Sequence, residues 1–170
     1  MAEIIIREAV ETDAAAFLDL WKALDAETEF MLYEPDERKT SLESQKAILT
    51  NASNSEFVQI IVLDVVGVDF LAGFCAGRRS SNIRDKHTLS VVIGIRQDYT
   101  GKGWGFALIT ELEKWALEQG VIRLELSVMV NNSIGIALYE KLGFNIEGTK
   151  TKAVSLKSGY FDEYIMAKLI

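Results

Sequence analysis

The stretch Tyr99-Thr100-Gly101-Lys102-Gly103-Trp104-Gly105-Phe106-Ala107-Leu108 places three glycines at alternate positions. It sits between a β-like run, His87 to Ile95 (HTLSVVIGI), and a helix-like run, Gly105 to Gln119. In the second run Leu108, Leu112, Trp115 and Ala116 recur on one face, and Gly120 stands where a helix stop is expected. Glycine lacks Cβ, so its backbone can take positive φ and approach a ligand closely. The first N–H groups of the following helix have no intrahelical acceptor, and the helix dipole favours negative charge there. Two readings follow for this junction: a cradle for a phosphate or pyrophosphate, or a strained turn that binds nothing.

Two common phosphate loops do not fit. A Walker A loop needs Ser or Thr after Gly-Lys to hold magnesium, and Gly103 follows Lys102 here. A dinucleotide G-x-G-x-x-G needs glycine at 106 or 108, which are Phe106 and Leu108. The loop therefore suits a phosphate met mostly by backbone amides, without a metal.

The rest of the chain reads as alternating strands and helices. Ile4 to Ala9 is a first strand, and Thr12 and Asp13 are candidate caps for a helix from about Ala14 to Ala26. A loop with aromatics follows, interrupted at Pro35, the single proline. Ser41 to Leu49 is a second helix, with Ser44 in place of the acidic partner of a full capping box. Phe57 to Val66 and Val68 to Ala76 are two strands joined near Gly67. Val121 to Val128 alternates Ile122, Leu124, Leu126 and Val128 inward against Arg123, Glu125 and Ser127. Asn132 caps a helix to Leu142, Gly143 follows its end, and two strands from Phe144 on are joined near Ser158-Gly159. The order is strand, two helices, three strands, helix, strand, helix, two strands, which predicts a mixed α/β sandwich with helices on both faces of a twisted sheet.

Composition narrows the function classes. The 170 residues suit one domain, expected to span 1–170, and no linker, repeat or low-complexity tract divides them. One cysteine (Cys75) and one histidine (His87) exclude an internal disulfide and a Cys/His zinc site. The net charge of −7 argues against nonspecific nucleic-acid binding and is compatible with a cationic amine. The opening residues do not read as a signal peptide, and no apolar run approaches the roughly 18 residues of a membrane helix. A cytoplasmic protein with no membrane partner is expected.

Val91 to Gly148 resembles the GCN5-related N-acetyltransferase family. That family carries a [Q/R]-x-x-G-x-[G/A] loop for the pyrophosphate of acetyl-coenzyme A, matched by Thr100, Gly101, Lys102, Gly103, Trp104 and Gly105. Thr100 stands where glutamine or arginine is usual. A second family pattern, N-x-x-A-x-x-L-Y-x-x-x-G-F, is matched by Asn132, Leu138, Tyr139, Gly143 and Phe144, with Gly135 in place of alanine at the small position. The glycine leaves room for a ligand arm beside the helix at about 1 kcal/mol of helix propensity.

The resemblance implies a mixed, mostly antiparallel twisted sheet of about six to seven strands flanked by about four helices. It implies acetyl-CoA as co-substrate, no metal, and an amine acceptor that is a small molecule or a peptide. It also implies a pantetheine arm along Ile93, Gly94 and Ile95, cofactor contacts from residues 100–105, Phe106 and Asn132, and Tyr139 as general acid. A phenol of ordinary pKa near ~10 is protonated at neutral pH and can donate to a leaving thiolate. Dimerisation is common in this fold, so a homodimer is an open expectation. Read alone, without the glycine loop and the Leu138-Tyr139 to Gly143-Phe144 string, Tyr139 is first a core aromatic of an amphipathic helix. Gly94 reads either as close approach of the arm or as a bulge.

The base is less defined. His87 and Ser90 lie on the strand before the loop, and His87 reads as a base or as a strand-edge surface residue. Glu27, Glu29 and Glu34 flank the aromatic loop Phe30-Met31-Leu32-Tyr33, which resembles the family's substrate lid on the acceptor side, and either hold a cationic amine or are simply solvated. Arg78, Arg79 and Arg84 read as a solvated connector or as partners for acidic groups. Cys75 reads as a small buried hydrophobe. Three functions compete: an acetyl-CoA-dependent N-acetyltransferase acting by direct attack in a ternary complex, a CoA-binding sensor of the same fold, and a nucleotide-phosphate module.

Overall fold

The computed structural model describes residues 3–170. Strand β1 (Ile4–Glu8) leads through a 3-10 turn (Glu11–Asp13) into helix α1 (Ala14–Glu27). Helix α2 (Leu42–Ser53) and strands β2 (Val58–Val65), β3 (Leu71–Arg79) and β4 (Thr88–Ile95) follow. A second 3-10 turn (Gln97–Tyr99) precedes α3 (Trp104–Glu118), β5 (Arg123–Met129), α4 (Ser133–Lys141), β6 (Asn145–Leu156) and β7 (Gly159–Leu169). The order of strands and helices agrees with the sequence reading. So does the class: seven strands in the order β1-β2-β3-β4-β5-β7-β6, all antiparallel but for the β4–β5 pair, with four helices.

Each face of the sheet has its own core. Leu20 and Leu24 of α1 and Leu49 of α2 pack on Val62 and Phe74. Leu108, Leu112 and Ala116 of α3 lie on the other face with Leu89, Leu124 and Met166. The helical spacing of those three α3 residues drives this burial, each large side chain contributing about 1.5–3 kcal/mol. Trp115 is only partly buried at the edge of that core.

Several boundaries move for physical reasons. Ile122 is 55% exposed and lies outside β5, because its N–H donates to the His87 carbonyl and its carbonyl accepts from Ile170 before the strand begins. The β2–β3 connection takes residues 66–70, not Gly67 alone, and β3 runs on through Arg79. The Asp13 side chain makes no capping bond to α1. Its carboxylate accepts two hydrogen bonds from Arg7 at 2.8 Å each and one from the Val10 amide at 2.8 Å. Ser41 does cap α2, accepting from the Ser44 amide at 3.1 Å. Among the described residues no helix is long and apolar enough to cross a membrane.

Candidate active site

The sheet opens at its centre. β4 and β5 pair in parallel only at Thr88–Arg123, Leu89–Leu124 and Ser90–Glu125. Beyond these pairs β4 continues to Ile95 and β5 to Met129 without bonding to each other. The Arg96 N–H donates to the Ala72 carbonyl at 2.9 Å. By the alternation of an antiparallel ladder, Val92 and Gly94 then share their backbone bonds with β3, and Val91, Ile93 and Ile95 turn theirs toward β5. An extended ligand arm laid in the opening meets the N–H and C=O groups of those three residues.

Gly94 is needed for another reason. A Cβ there would lie 2.6 Å from Leu24 Cδ1 and 2.9 Å from Phe74 Cε1. The glycine lets α1 seat against β3 and β4, so the side-chain space at Gly94 is taken by the helix.

The three alternating glycines do two different jobs at the mouth of this opening. Gly101 and Gly103 have φ +71° and +84°, and nothing lies within 4 Å of where their Cβ atoms would be. They turn the chain in the left-handed region and leave open space in front of it. Gly105 is in the helix, and a Cβ there would stand 2.8 Å from Leu138 Cδ2 and 3.5 Å from Ile95 Cδ1. It therefore brings the start of α3, the end of β4 and α4 together. Ala107 is the first α3 residue to donate to Gly103, at 3.1 Å. The amides of Trp104, Gly105 and Phe106 precede it, in the first turn where N–H groups lack intrahelical acceptors. This arrangement fits a pyrophosphate: bare amides, a favourable dipole and no side chain in the way.

Two loop side chains fold back on the loop. The Thr100 hydroxyl donates to the Gln97 carbonyl at 2.8 Å, and Lys102 Nζ donates to the Asp98 carbonyl at 2.7 Å. Lys102 Nζ also lies 5.2 Å from the Tyr99 ring centroid. Phe106 is 39% exposed, with Lys141 Nζ 5.5 Å from its ring centroid.

Helix α4 supplies Tyr139. Asn132 caps the helix, its Oδ1 accepting from the Gly135 amide at 2.9 Å. A Cβ at Gly135 would lie 2.7 Å from Asn132 Nδ2, so the space beside this glycine is filled by the cap rather than by a ligand arm. Tyr139 packs in the core with Phe144, ring centroids 6.0 Å apart. Burial, with Cys75 adding a smaller effect, pushes its phenol well above the ordinary tyrosine value. The group is protonated at neutral pH, as a proton donor must be.

The base candidates separate. His87 precedes β4 at the end away from the glycine turn, about 26 Å from Ile95 at ~3.3 Å per residue. It lies at the closed end of the β4–β5 pairing, about 13 Å from Val91, where the opening begins. Ser90 is exposed on the face opposite Leu89. Arg79 braces the scaffold by donating to the Glu56 and Gln119 carbonyls, and Arg78 and Arg84 lie away at the β3 end and its connector. Glu27 is committed to the chain: its Oε2 accepts from the Gln97 amide at 2.8 Å. Glu29 and Glu34 are exposed.

Sequence reasoning missed the anchor of the aromatic loop. Arg38 donates to both oxygens of Asp25, at 2.9 and 3.1 Å, and its guanidinium lies 4.0 Å from the Trp21 ring centroid and 4.2 Å from that of Tyr33. Also missed was Lys150, which reaches across β7 to Ser127 Oγ at 2.9 Å. Neither contact has a local signature, because each joins elements distant in sequence.

Comparison with known proteins gives a consistent picture. Residues 17–144 match the Acetyltransferase (GNAT) family. L-amino acid N-acetyltransferase AaaT of Escherichia coli is 33% identical over 90 residues, 51% of this chain and 54% of that protein. The chain spans about half, or less, of the length of the curated relatives it matches. A GNAT-family acetyltransferase structure from Streptococcus pneumoniae superposes with TM-score 0.93 at 29% identity, covering 99% of this chain and 100% of that one. The yncA structure from Salmonella typhimurium, described as a putative acetyltransferase with its cofactor acetyl-CoA, superposes with TM-score 0.85 at 18% identity. It covers 99% of this chain and 94% of its own, and shares the fold.

Proposed function

The chain belongs to the acetyltransferase (GNAT) family, and from that premise we propose that it is an acetyl-CoA-dependent N-acetyltransferase. It moves the acetyl group to a primary amine of a small molecule or a peptide by direct attack in a ternary complex. Residues 1–170 act as one catalytic unit in this reading. The observation that carries it is the opening between β4 and β5 beyond Ser90 and Glu125, with the glycine turn at its mouth and Tyr139 in the same core cluster as Ile93 and Ile95.

Acetyl-CoA supplies an activated acyl thioester. The amides of residues 101–106 hold its pyrophosphate, and the backbone groups of Ile93 and Ile95 hold the arm. An N–H directed from β4 into the opening polarises the acetyl carbonyl. The amine, having first lost its ammonium proton to solvent, bonds through nitrogen to the carbonyl carbon as the C–S bond breaks. Tyr139 Oη gives its proton to the departing sulfur and is reprotonated from solvent, while the nitrogen loses its proton to water. Cys75 is buried, and burial holds its thiol protonated, so it forms no acyl bond in this scheme.

The test is release of free thiol from acetyl-CoA in the presence of amino acids, polyamines, aminoglycosides and N-terminal peptides. Amine-stimulated release is expected with at least one class. Tight CoA binding with no stimulated release across the panel would instead identify a CoA-binding sensor.

A further inference from the structure

We infer that Glu27 is a positioning residue that couples the acceptor-side loop to the phosphate-binding turn. The inference rests on the donor site proposed above. Its basis is a short chain of contacts between two segments far apart in sequence.

The last turn of α1 carries two carboxylates with different tasks. Asp25 holds the far end of the 28–38 loop through its bidentate pair with Arg38. Glu27, two residues on, reaches the opposite way. Its Oε2 accepts from the Gln97 amide at 2.8 Å, and its Oε1 lies 3.7 Å from Arg96 Nε. Arg96 is itself held with its guanidinium 4.5 Å from the Phe70 ring centroid.

Gln97 begins the 3-10 turn that leads to the glycines, so its N–H has no acceptor within that turn. Glu27 provides one. The carbonyl of the same residue accepts both the Thr100 amide, at 3.1 Å, and the Thr100 hydroxyl, at 2.8 Å. Gln97 is thus fixed at both its backbone groups, on one side by α1 and on the other by the residue that enters the phosphate turn. A change in the turn moves Gln97. Moving Gln97 pulls on Glu27 and on the root of the 28–38 loop. Engagement of the donor at residues 101–106 therefore orders the segment that faces the acceptor.

The experiment is residue-resolved amide hydrogen exchange on the full chain, with and without acetyl-CoA, in wild type, Glu27→Ala and Glu27→Gln. Glutamine keeps an oxygen for the Gln97 amide and serves as the conservative variant. Without ligand, Glu27→Ala speeds exchange at Gln97 by about tenfold, the loss expected for a partly exposed charge-assisted bond. With acetyl-CoA, exchange slows at 101–106 in all three proteins. It also slows across 28–38 in wild type and Glu27→Gln, and does not in Glu27→Ala. In parallel, Glu27→Ala raises KM for the amine several-fold with kcat little changed, and Glu27→Gln restores it. Protection of 28–38 that persists in Glu27→Ala, or that is missing in a wild type protected at 101–106, overturns the coupling alone. Absence of protection at 101–106 in wild type overturns the donor site and the coupling with it.

Discussion

The Thr100 hydroxyl donates to the Gln97 carbonyl at 2.8 Å, and the Thr100 amide donates to the same oxygen at 3.1 Å. The position that departs from the usual family residue therefore acts on the loop itself. Its proton closes the 3-10 turn, and in the proposed donor site phosphate recognition falls to the amides that follow. Thr100→Ser keeps this bond and leaves acetyl-CoA affinity unchanged. Thr100→Val removes it and weakens binding by about 0.5–1.5 kcal/mol, the net value of one such bond. Calorimetric titration checks both variants. Loss in Thr100→Ser with none in Thr100→Val would show that the methyl group matters and the hydroxyl does not.

Gly103→Ala and Gly105→Ala separate strain from crowding. At Gly103 the added methyl meets nothing, but φ +84° puts alanine in the left-handed region at a cost of about 1–2 kcal/mol. Thermal melting falls by a few degrees, at ~2–4 °C per kcal/mol for a chain of this size. At Gly105 the methyl pushes on Leu138 Cδ2 from 2.8 Å while φ stays helical. Leu138 must swing aside on α4, the helix bearing Tyr139, and turnover falls more than stability.

Tyr139→Phe keeps the ring in its core position and removes the donor. Turnover falls by about 100-fold, the lower range for a general acid, with acetyl-CoA affinity unchanged. Unchanged turnover would show that water protonates the thiolate. The same burial gives a stability signature. Burial pushes Tyr139 and Cys75 above their ordinary values. Both stay protonated in the folded chain where the unfolded chain, with values near ~10 and ~8.5, has begun to ionise. The folded state then binds more protons, so stability falls as pH rises from about 8.5 upward. Cys75→Ala removes the earlier part of that fall, between about pH 8.5 and 10. Urea titrations across pH 7 to about 10.5 follow it, and a flat profile would count against both assignments.

Arg38→Ala leaves the Asp25 carboxylate, only 4% exposed, without its partner. Breaking a pair this enclosed costs about 3 kcal/mol, near the lower end for buried ion pairs. It also frees Tyr33 from the guanidinium, so the 28–38 loop becomes the first site cut by protease. Arg38→Lys keeps the charge but loses the fork and the flat stacking surface, and lands between the two. A stability equal to wild type in Arg38→Ala would place the anchor elsewhere.

Local patterns carried most of the fold into the sequence. The 3.6-residue spacing of Leu108, Leu112 and Ala116 and the glycine after α3 marked a helix and its end. The strand β5 was clear from Leu124, Leu126 and Val128, although Ile122 continued the same alternation just outside it. The site was legible where it depends on backbone, as at Gly101 and Gly103. It was not legible where a glycine serves a distant neighbour. Gly94 answers to Leu24, Gly105 to Leu138, and Gly135 to the capping amide of Asn132. Long-range polar ties were equally hidden: Glu27 meets Gln97 across 70 positions, with no motif joining them. The sequence puts His87 on the strand before the loop, and the structure sets it just ahead of β4, at the end of that strand away from the glycine turn.

The most direct measurement is a titration of the 15N-labelled protein with acetyl-CoA, followed amide by amide. The expected result is large, saturable shifts at residues 101–106 and at Ile93 and Ile95, with small ones at His87 and along β1. Saturable binding whose shifts lie away from the glycine turn and the β4–β5 opening would contradict the donor site at the centre of this account.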